Sequence, residues 1–122
     1  TTLVIESADR KTAIKLFDTV LSLLDIQPGE DEPMMNVLND EDNKWIVFVF
    51  PRAKHRPACY TAEGDANLLS SPASVDLGGV FINPVEKDFI KITAEDIAQI
   101  LGEVCLSPAD FQKVRKRIQE QL

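Results

Sequence analysis

The densest chemical signal in the chain is the segment Pro51-Arg52-Ala53-Lys54-His55-Arg56-Pro57. Arg52, Lys54, His55 and Arg56 place four potentially cationic side chains within five residues. A guanidinium fork holds phosphate through two parallel hydrogen bonds, and a lysine adds a point charge. These four residues are therefore candidate phosphate- or substrate-binding groups. The same residues also read as a charged strand exit, each paired with a nearby Asp or Glu. His55 is the only histidine. An imidazole serves as base, nucleophile or metal ligand, but a metal site needs several ligands and the sequence holds no Cys/His cluster around it. A Cys59–His55 nucleophile pair is conceivable chemistry. A small buried thiol at Cys59 demands less of the sequence. Tyr60, the only tyrosine, is placed to hold the loop through its hydroxyl. Gly78-Gly79 fits neither a dinucleotide-binding nor a P-loop spacing. No catalytic residue, metal site or cofactor is expected within the chain.

The elements that must position the basic segment follow from a chain of 122 residues, one domain's worth. Apolar residues make up 44 % and charged residues 27 %, a balance that excludes disordered and disulfide-scaffold classes. No apolar run approaches the ~20 residues of a membrane-spanning helix. The net charge of −7 repels phosphate backbones, so neither nucleic acid nor membrane is an expected partner. A local basic cluster still leaves room for a small phosphorylated ligand. Cys59 and Cys105 belong to no CxxC or Cys/His cluster and read as buried thiols of a reducing, cytoplasmic compartment.

Residues 2–6 read as a short strand. From Asp9 to Ile26, the spacing of Ala13, Ile14, Phe17, Val20, Leu21 and Leu24 predicts a helix with one apolar face, capped by Ser7 or Asp9 and ended by Pro28-Gly29. Strands are predicted over Met34–Asn39 and Lys44–Phe50, joined by the polar turn 40–43. The second is apolar on both faces, as suits a central strand. The acidic stretches 30–32 and 40–42 read as solvated turns. Arg52–Pro72 has no periodicity, and loops of that length are often functional. Ser74–Ile82 is predicted as a further strand interrupted by Gly78-Gly79. Thr93 caps a helix over Ala94–Val104 with Asp96 as capping-box partner. Ser107 caps a last helix that opens at Pro108 and carries the apolar stripe Phe111, Val114, Ile118 and Leu122. Its cations Lys113, Arg115, Lys116 and Arg117 suit the C-terminal half of the helix dipole. The expected fold is one α+β domain over residues 1–122, a mainly antiparallel sheet covered by helices.

The order of the short blocks carries a resemblance. Ile46-Val47-Phe48-Val49-Phe50-Pro51-Arg52 leads into Lys54-His55-Arg56-Pro57-Ala58-Cys59-Tyr60, then Ser74-Val75-Asp76-Leu77-Gly78-Gly79-Val80, Asp88-Phe89, Thr93-Ala94-Glu95-Asp96 and Gly102-Glu103-Val104-Cys105-Leu106-Ser107. This resembles the C-terminal part of the GDP-hexose phosphorylases, including a bacterial branch. That group stands with the galactose-1-phosphate uridylyltransferases in the histidine-triad superfamily. The resemblance implies nucleotidyl transfer. A histidine of a His-x-His-x-His or His-x-His-x-Gln strand attacks the α-phosphorus, and phosphate or a sugar phosphate then takes the nucleotide. This sequence contains no such motif. The resemblance therefore implies the C-terminal portion of a longer enzyme, in keeping with a chain that opens at Thr1 without Met or leader. Such a domain would help to shape the substrate site for a nucleotide or nucleotide-sugar ligand through Arg52, Lys54, His55 and Arg56. Its expected partners are the N-terminal catalytic part of the same polypeptide and, in a homodimer, a second copy. The alternative is a non-catalytic interaction or dimerisation module.

Overall fold

A computed structural model describes residues 1–122. The helix-forming and strand-forming segments resolve into β1 (Leu3–Ser7), α1 (Arg10–Leu24), β2 (Met34–Asn39), β3 (Trp45–Phe50), α2 (Ser74–Leu77), α3 (Glu86–Lys91), α4 (Ala94–Val104) and α5 (Pro108–Gln121). The sheet has three antiparallel strands in the order β1-β3-β2. The fold is therefore α+β, with β3 central as its two apolar faces require.

One face of β3 presents Val47 and Val49, which join Ile5 of β1, Val20 of α1, and Val114 and Ile118 of α5 in the main core. The other face presents Phe50, which packs with Met34 of β2 and Val104 of α4. Phe48, Leu77 and Cys105 close over this second, smaller cluster. Its cover is partial, so Val4 and Leu38 on the same face stay exposed.

The helix ends show why the elements stop where they do. Asp9 Oδ2 accepts from Thr12 N at 2.8 Å and caps α1, leaving Ser7 outside the cap. α1 ends before Pro28-Gly29, because Asp25 turns into the left-handed region (φ 55°) and its N–H donates to Ser22 O. Between β2 and β3, Asp40 Oδ1 accepts from Lys44 N at 2.7 Å and Asn43 adopts φ 63°. Asn tolerates that conformation better than most residues. Thr93 and Asp96 form the expected capping box at α4. Ser107 Oγ accepts from Asp110 N at 3.1 Å, with Pro108 at the start of α5.

The predicted strand over Ser74–Ile82 is not formed. Ser74–Leu77 is a single helical turn, α2, and the chain then reverses at Gly79 with φ 106°. Asp76 decides this locally. Its Oδ2 accepts from Ala73 N at 2.8 Å and its Oδ1 from Ile82 N at 3.0 Å, folding both flanks around one carboxylate. Ser74 meanwhile docks end-on at the outer edge of β2, where its Oγ accepts from Met35 N at 3.2 Å and its carbonyl from Asn36 Nδ2 at 2.9 Å. α3 has no counterpart among the predicted elements, since its short amphipathic turn follows directly on a Pro-containing loop.

The layering predicts where truncation is felt. Val49 is fully buried in the main cluster and Val4 is exposed on the sheet. Val49→Ala is expected to cost about 2 kcal/mol from lost burial and an unfilled cavity. Val4→Ala is expected to cost less than about 0.5 kcal/mol. Urea unfolding of the two variants checks this; equal costs would mean that the open face of the sheet is as well packed as the covered one.

Candidate functional site

The basic segment leaves β3 at Pro51 and does not fray. It lies antiparallel to the α4–α5 joint, with Ala53 N donating to Val104 O at 2.8 Å, Leu106 N donating to Pro51 O at 3.1 Å, and an Arg52–Cys105 bridge between them. This pairing brings the strand exit alongside the first turns of α5.

A cleft of about 630 Å³ opens there. Arg52, Ala53 and Lys54 form one wall and Asp110, Lys113 and Arg117 of α5 another. The loop after α1, with Gly29, Glu30, Asp31 and Pro33, forms the third, and Leu24, Ile26, Leu106 and Val114 add apolar surface. The volume is that of a small-molecule site. Beyond Lys54 the long loop does not contribute to the lining.

The four sequence candidates do not converge. Arg52 and Lys54 border the cleft, whereas His55 and Arg56 do not. Arg52 directs one guanidinium nitrogen to the carbonyls of His55 at 3.0 Å and Pro72 at 3.1 Å, so it braces both ends of the long loop. Lys54 Nζ meets Glu103 Oε2 at 2.8 Å. His55 Nδ1 stands 3.4 Å from Asp31 Oδ1, across the mouth between the strand exit and the acidic loop. Arg56 lies over the Tyr60 ring, 4.2 Å from its centroid, a cation–π contact. Strand alternation ends at Pro51, and each of the four then finds its own partner.

The rest of the long loop is held by α3. Asp88 is fully buried, and its Oδ2 accepts from Leu69 N at 2.8 Å. Lys91 Nζ donates to Asp65 O at 2.7 Å and Asn67 O at 2.9 Å. Leu68, buried beside them, donates its N–H to Cys59 O at 3.0 Å. Two 3₁₀ turns, Ala58–Tyr60 and Gly64–Ala66, shape the intervening chain. The loop is thus an ordered wrap around Asp88.

Both thiols are free. Burial pushes Cys59 up from its ordinary value, and the nearby Glu103 carboxylate adds to the rise. Burial also raises Cys105. A thiol shifted upward supplies less thiolate, which is the reverse of what a cysteine nucleophile needs. His55 makes no hydrogen bond to Cys59. No group of three or more His, Cys, Asp or Glu side chains is arranged to hold a metal ion. The residues that the sequence reading left out of the site are Glu30, Asp31, Lys113 and Arg117. The i, i+4 spacing of Lys113 and Arg117 was the available signal, since it sets both on one side of α5.

Glu103 links α4 to the strand exit and gives the region a pH dependence. The Lys54 ammonium holds its carboxyl below the usual range, helped by the Ala58 N–H, which donates to Oε2 at 2.8 Å. The folded-state value lies below the unfolded one. The stabilisation is therefore complete above the ordinary carboxylate range and is lost as pH falls through the depressed value. Lys54→Met is expected to move the Glu103 titration upward, and Lys116→Met to leave it in place. Carboxyl carbon NMR titration reads this directly; an unmoved Glu103 in Lys54→Met would remove the ion pair as its cause.

Comparison with curated proteins returns no match, and comparison with solved structures returns none. The family described as "GDPGP1-like, C-terminal domain" matches residues 1–122. The match spans the sheet, the ordered wrap and both C-terminal helices, of which α5 lines the cleft. The chain belongs to the GDPGP1-like C-terminal domain family.

Proposed function

We propose that this chain is the C-terminal domain of a nucleotide-sugar phosphorylase or related nucleotidyltransferase, and that it shapes the substrate site without supplying the nucleophile. The observation that carries this reading is the family match over the whole of residues 1–122. The chemistry in the chain supports it. Phosphorolysis of a nucleoside diphosphate hexose by nucleotidyl transfer needs a histidine to attack the α-phosphorus and release the sugar phosphate. Inorganic phosphate then displaces the histidine and takes the nucleotide. The only imidazole, His55, stands outside the cleft beside Asp31, and the chain has no His-x-His strand. The nucleophile belongs to the N-terminal catalytic part of the same polypeptide.

In this arrangement Arg52 and Lys54 contact substrate phosphate from the cleft wall, while His55 and Arg56 hold the segment in position. The exposed apolar residues Val4 and Leu38 on the thinly covered sheet face favour a contact with the catalytic part or with a second copy. The net charge of −7 argues against nucleic acid as partner, and two free thiols fit the reducing cytoplasm.

Purified 1–122 is expected to show no phosphorolysis of GDP-glucose, UDP-glucose or dinucleoside polyphosphates, because the covalent step has no nucleophile. In a polypeptide that joins the domain to a His-x-His-x-His/Gln half, Lys54→Ala is expected to raise KM for the nucleotide sugar about tenfold. That is about 1.4 kcal/mol of lost contact, with kcat little changed. Turnover by the isolated chain that disappears in His55→Ala would instead locate a nucleophile inside this domain. An unchanged KM in Lys54→Ala would remove the strand exit from the substrate site.

A further inference from the structure

α1 packs on β1 and β3 and leaves the flank of β2 open on that face of the sheet. Ile14 of α1 and Met35 and Val37 of β2 stay 47 %, 38 % and 44 % exposed there. Between helix and strand lies an apolar pocket of about 190 Å³, walled by Ala13, Phe17, Met35, Val37, Trp45 and Val47, with Ile14 and Arg10 also in its lining. Small-molecule sites run from about 300 to about 1,000 Å³. This pocket is smaller and suits a single apolar side chain.

The charges beside the pocket have an order of their own. Arg10, Ile14 and Asp18 follow one another at intervals of four residues, so they share one face of α1. Arg10 lies over the Trp45 ring, 5.6 Å from its centroid. Neither Arg10 nor Asp18 forms an ion pair within the chain. An exposed aliphatic residue thus stands midway between a free cation and a free carboxylate.

That spacing is self-complementary. When two α1 helices meet antiparallel about a two-fold axis beside Ile14, the residue four places before the centre faces the residue four places after it. Arg10 of each protomer then meets Asp18 of the other, and each Ile14 stands over the other's pocket. One patch supplies both knob and hole, and both members of the ion pair, as an isologous contact requires. A partner of different sequence would have to match the cation, the carboxylate and the pocket independently.

We propose that the groove between α1 and β2 is a homodimer interface, closed by Ile14 of each protomer in the apolar pocket of the other and by two reciprocal Arg10–Asp18 pairs. The cleft lies at the other end of α1, by Leu24 and Ile26, and stays open in such a dimer. The patch is small beside the ~1,600 Å² of a standard interface. The net charge of −7 also repels a second copy at long range. Association is therefore weak and concentration-dependent. The second copy occupies this groove and not the face of Val4 and Leu38, whether or not the domain serves an enzyme.

Sedimentation velocity of chain 1–122 tests this. The mass is expected to rise from 13.6 kDa toward twice that value between about 10 µM and about 1 mM, the range of a weak interface. Ile14→Asp leaves the chain monomeric throughout. Arg10→Asp and Asp18→Arg each set like charges face to face and weaken the dimer about tenfold. The double variant restores opposite charges and returns the dimer to within about threefold of the unaltered chain. Leu38→Asp, on the other face of the sheet, leaves the association unchanged. Circular dichroism melting of each variant separates loss of association from loss of fold. A chain that is monomeric at the highest concentration, a double variant no better than the two singles, or association lost in Leu38→Asp and kept in Ile14→Asp would each overturn the interface.

Discussion

The antiparallel pairing between the end of β3 and the α4–α5 joint is the constraint on which the rest of the molecule depends. Two backbone hydrogen bonds, Ala53 N to Val104 O and Leu106 N to Pro51 O, continue the direction of the central strand past Pro51. Without them the basic segment would be a free strand exit. With them it becomes one wall of a cleft whose opposite wall is α5. The joint also ties the two hydrophobic clusters together. Val104 belongs to one and Leu106 packs against the other. The site and the core therefore share the same few residues.

The electrostatics follow from this placement. A chain with many more carboxylates than cations brings four cations to one cleft because two remote segments are paired side by side. Most of those cations are already answered from within. Lys54 is held by Glu103 and Lys113 by Asp110, and one guanidinium nitrogen of Arg52 is engaged by loop carbonyls. Such pairing orients the side chains and limits how much attraction each has left for a ligand. Arg117, on the far helix, is the exception, with Asp25 Oδ2 at 4.0 Å as its one ion-pair partner.

The long loop after the basic segment illustrates a different kind of order. It has almost no regular structure, yet Asp88 and Lys91 of α3 take up its backbone groups at Leu69, Asp65 and Asn67. A buried carboxylate that accepts a backbone N–H is a strong local tether. Arg52 closes the same loop from its other side, between His55 and Pro72. The loop thus holds its own shape and leaves the cleft to the strand exit and α5.

Much of the fold was legible in the residues themselves. The apolar stripe of α1, the two-sided apolar run of β3, the polar turn before it, and the caps at Thr93 and Ser107 are local patterns. Backbone periodicity and short-range hydrogen bonds are enough to produce them. The basic segment was legible too, as a set of charges. Three things were not. Ser74–Leu77 looks like a strand by composition, but Asp76 captures the backbone on both its flanks and Ser74 docks at the edge of β2. Buried Asp88 gives no sign in sequence that it anchors a segment nineteen residues away. The separation of Arg52 and Lys54 from His55 and Arg56, and their meeting with Lys113 and Arg117, depends on a strand–joint pairing between residues about fifty positions apart. Sequence determines which charges exist and which local elements carry them. Only tertiary packing decides which of them face one another, because that is settled by long-range backbone pairing and by burial against β3.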